Sequence, residues 1–287
     1  MQKPRARDRT PEMTPSGAPH NGSNLDNLRV VLVATRNPLN IGAAARAIGN
    51  FGATHLGVVN PYEVAFREAR SAVGATQVLA SAKEYGTMAE AVADCRLVVG
   101  TTTAGRRELQ LDLRRLEVGA RVILRQLKTG PVAILFGSEK TGLSNEDMSH
   151  CHWLMRIPTR EGHGSMNLGQ AVAVCLYELA RETARPANNK TGRRNTIAPA
   201  REQKTSAKAA GIERLTQLLF EVLRASGYVK PRAARPTEEN LRRMLRRLNM
   251  STEDAELWLG MLRQIQWKLD TIEPRTTKDT KVHEGNP

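Results

Sequence analysis

Five short apolar runs, at residues 28–34, 56–60, 96–101, 131–136 and 152–157, constrain this chain most. Each is rich in β-branched or aliphatic residues, is five to seven residues long, and closes on a polar or glycine-containing turn. That is the length and punctuation of a buried strand. Helix-forming sequence fills the gaps at 40–51, 87–94, 114–128 and 167–184. Strands that alternate with helices return in the same direction and are covered on both faces. We therefore expect one α/β domain over residues 28–184, built on a mostly parallel sheet. In the 40–51 segment Asn40 stands at a cap position, and the many Ala and Gly residues behind it let another backbone come close.

The alternation stops at residue 185. Residues 185–211 hold Pro186, Gly192 and Pro199 with almost no large apolar side chains, and seven Lys or Arg against Glu202 alone. The reading is a basic linker, either a solvated tether or a strap along a phosphate backbone. Apolar periodicity returns at Leu215, Leu218, Leu219 and Leu223, at Leu241, Leu245 and Leu248, and from Leu257 to Ile265. A small helical extension over 212–272 follows, with helix starts near Thr237 and at Ser251, where Asp254 completes a capping pattern. Its middle helix places Arg242 with Arg246, and Arg243 with Arg247, at spacing i, i+4. These like charges repel unless solvated or met by anions. The expectation is that all four contact RNA phosphate. Residues 1–27 and 273–287 have the composition of disordered tails.

Charge points to the partner class. Against 29 Asp and Glu stand 43 Lys and Arg, a formal net charge of +14, which suits a polyanion such as nucleic acid. Aromatics are only 4% of residues, so recognition by base stacking is disfavoured over recognition of backbone and shape. Cys95, Cys151 and Cys175 are odd in number and far apart, which fits a reducing cytoplasm. His150-Cys151-His152 lacks a second ligand pair, so it reads as a turn into a strand and no metal is expected. The longest apolar runs are too short for a membrane span, and no membrane partner is expected.

Two stretches carry the chemistry. Phe136-Gly137-Ser138-Glu139-Lys140-Thr141-Gly142-Leu143 and Gly164-Ser165-Met166-Asn167-Leu168-Gly169 each follow an apolar run, where an α/β fold presents backbone N–H groups to a ligand. Taken singly, each residue has a plain structural role: Asn before a helix caps it, and Glu or Gly after a strand makes a turn. The ordered set says more. Asn40-x-Gly42-x-x-x-Arg46, then Phe136-Gly137-x-Glu139-x-x-Gly142-Leu143, then Ile157-Pro158 with Ser165-x-Asn167-Leu168 resemble, in order and spacing, the three motifs of the SpoU, or TrmH-type, branch of the SPOUT RNA methyltransferases. The helices after the linker resemble the extension of the TrmJ type, the tRNA ribose methyltransferases.

That resemblance implies a C-terminal trefoil knot in the parallel sheet, S-adenosylmethionine as cofactor, and a homodimer with its active site at the subunit boundary. It implies RNA 2'-O-ribose methylation, on tRNA at nucleotide 32 of the anticodon loop. The alternatives are ribosomal RNA as substrate, and an idle RNA-binding protein on the same fold. By the same resemblance Arg46 lies beside the target ribose and phosphate, and Asn40 and Glu139 hold Arg46 and the motif loops. Ser165 and Asn167 contact RNA or fix the last loop. The groups around Thr101, Thr102, Thr103, Gly137, Ile157, Ser165, Met166 and Leu168 hold the cofactor. Arg106 and Arg107, in the loop after the 96–101 strand, are expected to touch RNA. Ser138, Lys140 and the 162–164 segment vary within the family, so they bear on the substrate and not on the reaction.

Overall fold

A computed structural model of the chain describes residues 25–71, 77–103, 109–160, 165–184 and 205–272. Residues 1–24 and 273–287 of the expected tails, Arg106 and Arg107, and residues 185–204 of the expected linker lie outside the described residues. The end of the first expected tail is ordered instead, with Leu25 buried in the core and Asn27 Nδ2 donating to the Leu127 carbonyl at 3.1 Å. The α/β part runs β1 (Leu28–Val33), α1 (Pro38–Asn50), β2 (His55–Val59), α2 (Glu63–Ser71), α3 (Gln77–Ala80), β3 (Lys83–Tyr85), α4 (Met88–Ala91), β4 (Leu97–Thr101) and β5 (Leu113–Arg115). It continues through α5 (Leu116–Leu127), β6 (Val132–Phe136), α6 (Asn145–Ser149), β7 (Trp153–Arg156) and α7 (Leu168–Ala184). All seven strands are parallel, in the order β3-β2-β1-β6-β4-β7-β5. The central strands are buried on both faces, and β6 is buried at every position. A two-sided apolar strand needs helices on both sides, and it has them: α1, α5 and α7 pack on one face, α4 and α6 on the other.

The five expected strands are all present. The two edge strands escape a hydrophobic search because Lys83-Glu84-Tyr85 and Leu113-Arg114-Arg115 are short and charged. Charged, short edges discourage pairing with another chain. One local expectation is corrected. The cap of α1 is Asn37, whose side chain accepts from the Leu39 N–H, with Pro38 at the first helical position, where no N–H is needed. Asn40 lies inside the first turn and is buried, which frees its side chain for other work. α1 and α7 approach closely: a Cβ on Gly169 would stand 2.6 Å from the Ala43 Cβ.

The C-terminal unit is α8 (Ala209–Ala225), α9 (Ala234–Arg247) and α10 (Thr252–Ile272), closed around Ile212, Leu215, Leu245, Leu259 and Leu262. Ser251 and Asp254 form the expected cap of α10. α9 begins at Ala234, before the expected start near Thr237, because Pro236 is harmless within a first turn. From residue 205 the expected linker is already part of this unit: Ser206 pairs with Ser251, and the Ala209 and Ala210 N–H groups donate to Cys95 and Ala93 carbonyls of the α/β part.

The phosphate-facing role expected for Arg242, Arg243 and Arg246 is not what this arrangement presents. Arg242 and Arg246 are 6% and 1% exposed, and Arg243 is buried too. Glu213 of α8 takes two donors of Arg242 at 3.0 and 2.9 Å and lies 3.7 Å from Arg246, while Glu238 and Glu239 serve Arg242 and Arg243 from one turn away. The anions that relieve the like-charge pairs are the protein's own. Arg247 alone of the four is exposed.

Candidate active site

A cavity of about 550 Å³ opens at the carboxyl ends of β4, β6 and β7, where a parallel α/β sheet collects the loops that bind ligands. Three segments form its walls. After β4 come Thr101, Thr102 and Thr103; Thr101 Oγ1 donates to the Leu135 carbonyl at 2.8 Å, and the Thr102 N–H donates to the Met155 carbonyl at 2.9 Å, which tie the three strand ends together. After β6 comes the 137–143 turn, and after β7 come Ile157, Thr159 and the 165–168 segment.

The 137–143 turn needs its glycines. A Cβ on Gly137 would overlap the backbone of Gly142 and Leu143, and Gly142 has φ +69°, a conformation that side chains resist. The Gly142 N–H donates to the Ser138 carbonyl at 2.9 Å, while the Ser138 and Thr141 hydroxyls meet at 2.9 Å. The backbone is thereby folded back on itself and faces the cavity.

One hydrogen-bonded chain joins the three motifs. The Gly169 and Gln170 N–H groups donate to Asn167 Oδ1 at 2.9 and 3.3 Å, so Asn167 caps α7. Asn167 Nδ2 donates to Asn40 Oδ1 at 2.8 Å, and Asn40 Nδ2 donates to Glu139 Oε1 at 2.9 Å. The Arg36 and Asn37 N–H groups complete the set on Glu139, each at 3.3 Å. Partial burial raises the pKa of this carboxyl. The Asn40 side chain, its own backbone N–H and those of Arg36 and Asn37 outweigh that effect and hold it below the ordinary carboxylate value. Glu139 is therefore an ionised anchor that accepts only from N–H donors.

Of the expected site residues, Asn40, Glu139, Ser165, Asn167, Thr101, Thr102, Thr103, Gly137, Ile157, Met166 and Leu168 all line this one cavity. Arg46 does not. It sits on the exposed face of α1, six residues from the buried Asn40, and takes part in none of these bonds, contrary to the expectation that Asn40 and Glu139 hold it. Leu39, 79% exposed, and Ala43 lie on the same face at i, i+4, i+7 spacing. The cavity also has walls to which the motif reading gave no cofactor role: Phe136, Met155 and Ala171 supply apolar surface, and Lys140 and Thr141 supply polar atoms. Met155 had a visible signal, since it ends an apolar run beside Ile157.

His150, which is buried, and His152, which is half-buried, are candidates for no role beyond a turn, and both are neutral. Burial first, then the Arg242 and Arg246 guanidiniums, pushes His150 down to about 2. Burial and Arg246 lower His152 to about 3, and its Nδ1 accepts the Val98 N–H at 3.1 Å, a bond that only the neutral ring can make. Among the described residues no cluster of three or more His, Cys, Asp or Glu is placed to hold a metal, and no helix is long and apolar enough to cross a membrane.

The size and lining of the cavity fit a nucleoside-bearing cofactor. Its volume lies in the range of small-ligand pockets, about 300–1,000 Å³. Phe136, Leu143, Met155, Ile157 and Leu168 offer a ring-sized apolar wall, and the glycine turn lets backbone groups approach a ligand closely. Known proteins agree with this geometry. The model of the SpoU rRNA Methylase family matches residues 27–177. A protein named tRNA (cytidine/uridine-2'-O-)-methyltransferase TrmJ, from Yersinia pestis (strain Pestoides F), is 33% identical over 257 residues, which cover 89% of this chain and 97% of its own. Its namesake from Cronobacter sakazakii is 33% identical over 243 residues, covering 84% and 97%. The crystal structure of TrmJ from Z. mobilis ZM4 superposes with a TM-score of 0.69 and 28% identity over 83% of this chain and 98% of that one. A probable methylase family protein from Haemophilus influenzae Rd KW20 gives a TM-score of 0.51 at 28% identity, over 86% and 99%.

Proposed function

Because the chain belongs to the SpoU rRNA methylase family and is similar along most of its length to TrmJ proteins, we propose that it is an S-adenosylmethionine-dependent tRNA 2'-O-ribose methyltransferase. The observation that carries this reading is the bonded chain Asn167–Asn40–Glu139, which gathers all three motifs at the rim of one cofactor-sized cavity. The names of the relatives favour tRNA over ribosomal RNA and specify the ribose of cytidine or uridine. The finer target we assign is nucleotide 32 of the anticodon loop, and the place of work is the cytoplasm. The family also brings the trefoil knot.

The bound cofactor supplies a methyl group on a sulfonium, already attached to a good leaving group, and no metal is required. What remains for the protein is to hold the ribose in line and to manage one proton. Thr101, Thr102 and Thr103, with the 137–143 turn and the 165–168 segment, hold the cofactor. Glu139, locked by N–H donors, keeps that turn registered against the start of α1 and, through Asn40 and Asn167, against α7. Arg46 binds the phosphate beside the target ribose and lowers the pKa of its 2'-hydroxyl. A guanidinium stays charged, which suits it to this electrostatic role and not to proton abstraction.

Arg46 is absent from the lining of its own subunit's cavity. We assign it to the cavity of a second copy, brought there by a homodimer that covers the exposed face of α1. The test is transfer of a labelled methyl group to unmodified tRNA transcripts, followed by mass-spectrometric mapping of the ribose. Arg46→Ala is expected to lose at least about 100-fold in transfer while folding normally. Mixing it with Gly137→Ala, inactive for a different reason, is expected to restore part of the activity through mixed dimers. Full transfer by Arg46→Ala overturns the role of that residue, absence of rescue overturns its placement across subunits, and methylation of ribosomal RNA alone overturns the tRNA assignment.

A further inference from the structure

The arginines of α9 grip the short helix that carries the cavity turn. α6 begins at Asn145, two residues after Leu143 lines the cavity. Arg243 Nη1 donates to the Asn145 carbonyl at 3.5 Å, Arg235 Nη2 lies 2.6 Å from Glu146 Oε2, and Arg242 Nη1 donates to Ser149 Oγ at 3.2 Å. The helix is thus held at its start and at its end. The last of these contacts is dry, for Ser149 is fully buried and Arg242 nearly so. Arg242 is also fixed from behind, since its Nε and Nη2 donate to Glu213 of α8. Its guanidinium plane therefore cannot shift without breaking an ion pair in one unit or releasing Ser149 in the other.

The same grip extends beneath the cavity floor. Cys151, two residues past Ser149, packs so closely under β4 that a Cβ on Gly100 would stand 2.8 Å from its Sγ. Thr101 follows Gly100 directly. The Arg96 guanidinium, at the entry to β4, donates to the Ser206 carbonyl of the helical unit at 2.9 Å. Both segments that lead into the cavity, β4 and the 137–149 stretch, are thereby tied to residues 205–246.

We propose that the C-terminal helical unit is a built-in support of the cofactor cavity, with Arg242 as the positioning residue that sets the 137–143 turn through α6. A plain tether needs only apolar contact. Burying a guanidinium is costly in desolvation unless its nitrogens are met, and here all three Arg242 nitrogens are met, by Glu213, Glu238 and Ser149. The consequence is a coupling: whatever RNA contact displaces α9 changes cofactor affinity, and bound cofactor changes RNA affinity by the same factor.

The proposal rests on the cavity being the S-adenosylmethionine site, so calorimetric titration of the full wild-type chain with S-adenosylmethionine comes first. No binding there overturns both that reading and this proposal. Given binding, Arg242→Met is expected to raise the Kd about tenfold, a change of about 1.4 kcal/mol. Leu262→Ala, which removes a core side chain of the helical unit far from α6, is expected to cost comparable thermal stability and yet leave Kd within about twofold. Should Arg242→Met not fold, Ser149→Ala decides, because it deletes one acceptor and leaves the Arg242–Glu213 pair intact; a rise of about threefold is expected. Hydrogen exchange of the cofactor-free protein gives a second readout: amides of 137–149 exchange faster in Arg242→Met and in Ser149→Ala, and not in Leu262→Ala. Unchanged Kd and exchange in the first two variants, or equal weakening in Leu262→Ala, overturns the assignment.

Discussion

Two polar clusters, one at each end of the 137–149 stretch, are built on opposite terms. At the cavity rim a single carboxylate, Glu139, is exposed and is met only by neutral donors: one side-chain amide and backbone N–H groups. At the junction of α6, α8 and α9, buried guanidiniums are met by carboxylates, with Glu213 shared between Arg242 and Arg246. The rim spends one charge to register three loops and leaves room for a ligand. The junction matches charge with charge and leaves none. A run of arginines on a helix thus says little about where the helix faces until the location of the opposing acids is known. Even here the match is incomplete, since the Arg246 Nε and Nη1 atoms have no hydrogen-bond partner among the described residues.

The sharpest way to break this contrast is to remove one ion from the dry cluster. Arg242→Met leaves Glu213 buried beside Arg246 and His150, and we expect a loss of about 3–5 kcal/mol in urea unfolding, as for other buried pairs with one partner removed. A loss below about 1 kcal/mol would mean that water reaches the junction and that the two clusters are alike. The rim yields next. Gly137→Ala forces the turn off the Gly142 and Leu143 backbone, at an expected cost of about 1–3 kcal/mol, with loss of S-adenosylmethionine binding in calorimetry.

Glu139→Gln tests the rim's charge. The folded-state pKa of Glu139 is depressed, so on acidification the unfolded chain takes up its proton first. Its stabilising effect is present above the ordinary glutamate value, about 4.3, and is lost as the pH falls through the lower folded value. Wild type and Glu139→Gln should therefore differ by about 1 kcal/mol at pH 7, since the group is partly in water, and converge as the pH drops below that range. A difference independent of pH would show that the amide network, and not the carboxylate's charge, holds the loops.

Legibility followed the same divide. Strands β1, β2, β4, β6 and β7 were readable because a two-sided buried strand must be an unbroken apolar run, whereas β3 and β5 are charged edges whose pairing only the sheet reveals. The rim was readable as three spaced motifs, because each residue acts within a few positions of a strand end. Asn40 was misplaced as a cap, although Pro38 after Asn37 carried the true signal for the start of α1. The junction resisted for a different reason. Glu238 and Glu239 precede Arg242 and Arg243 by one turn and were open to view, but Glu213, the residue that makes burial tolerable, is 29 positions from Arg242 on another helix. Pairing across helices is tertiary information, and without it a phosphate-facing role for the arginines was the reading that the charge run supported.

The smallest effect separates the wet margin of the junction from its dry centre. Arg235 and Glu146 lie 2.6 Å apart, but their side chains are 74% and 55% exposed. Screening and side-chain entropy reduce such a pair to about 0.2–1 kcal/mol, and roughly 1 M salt should erase it, since the Debye length there is about 3 Å. Arg235→Ala is thus expected to shift the urea midpoint slightly at low salt and not at all at high salt, whereas Arg242→Met should cost nearly the same in both. If Arg235→Ala instead proves salt-independent and as damaging as Arg242→Met, then α9 holds α6 along its whole length and the cost lies in packing, not in the pairing of one buried charge.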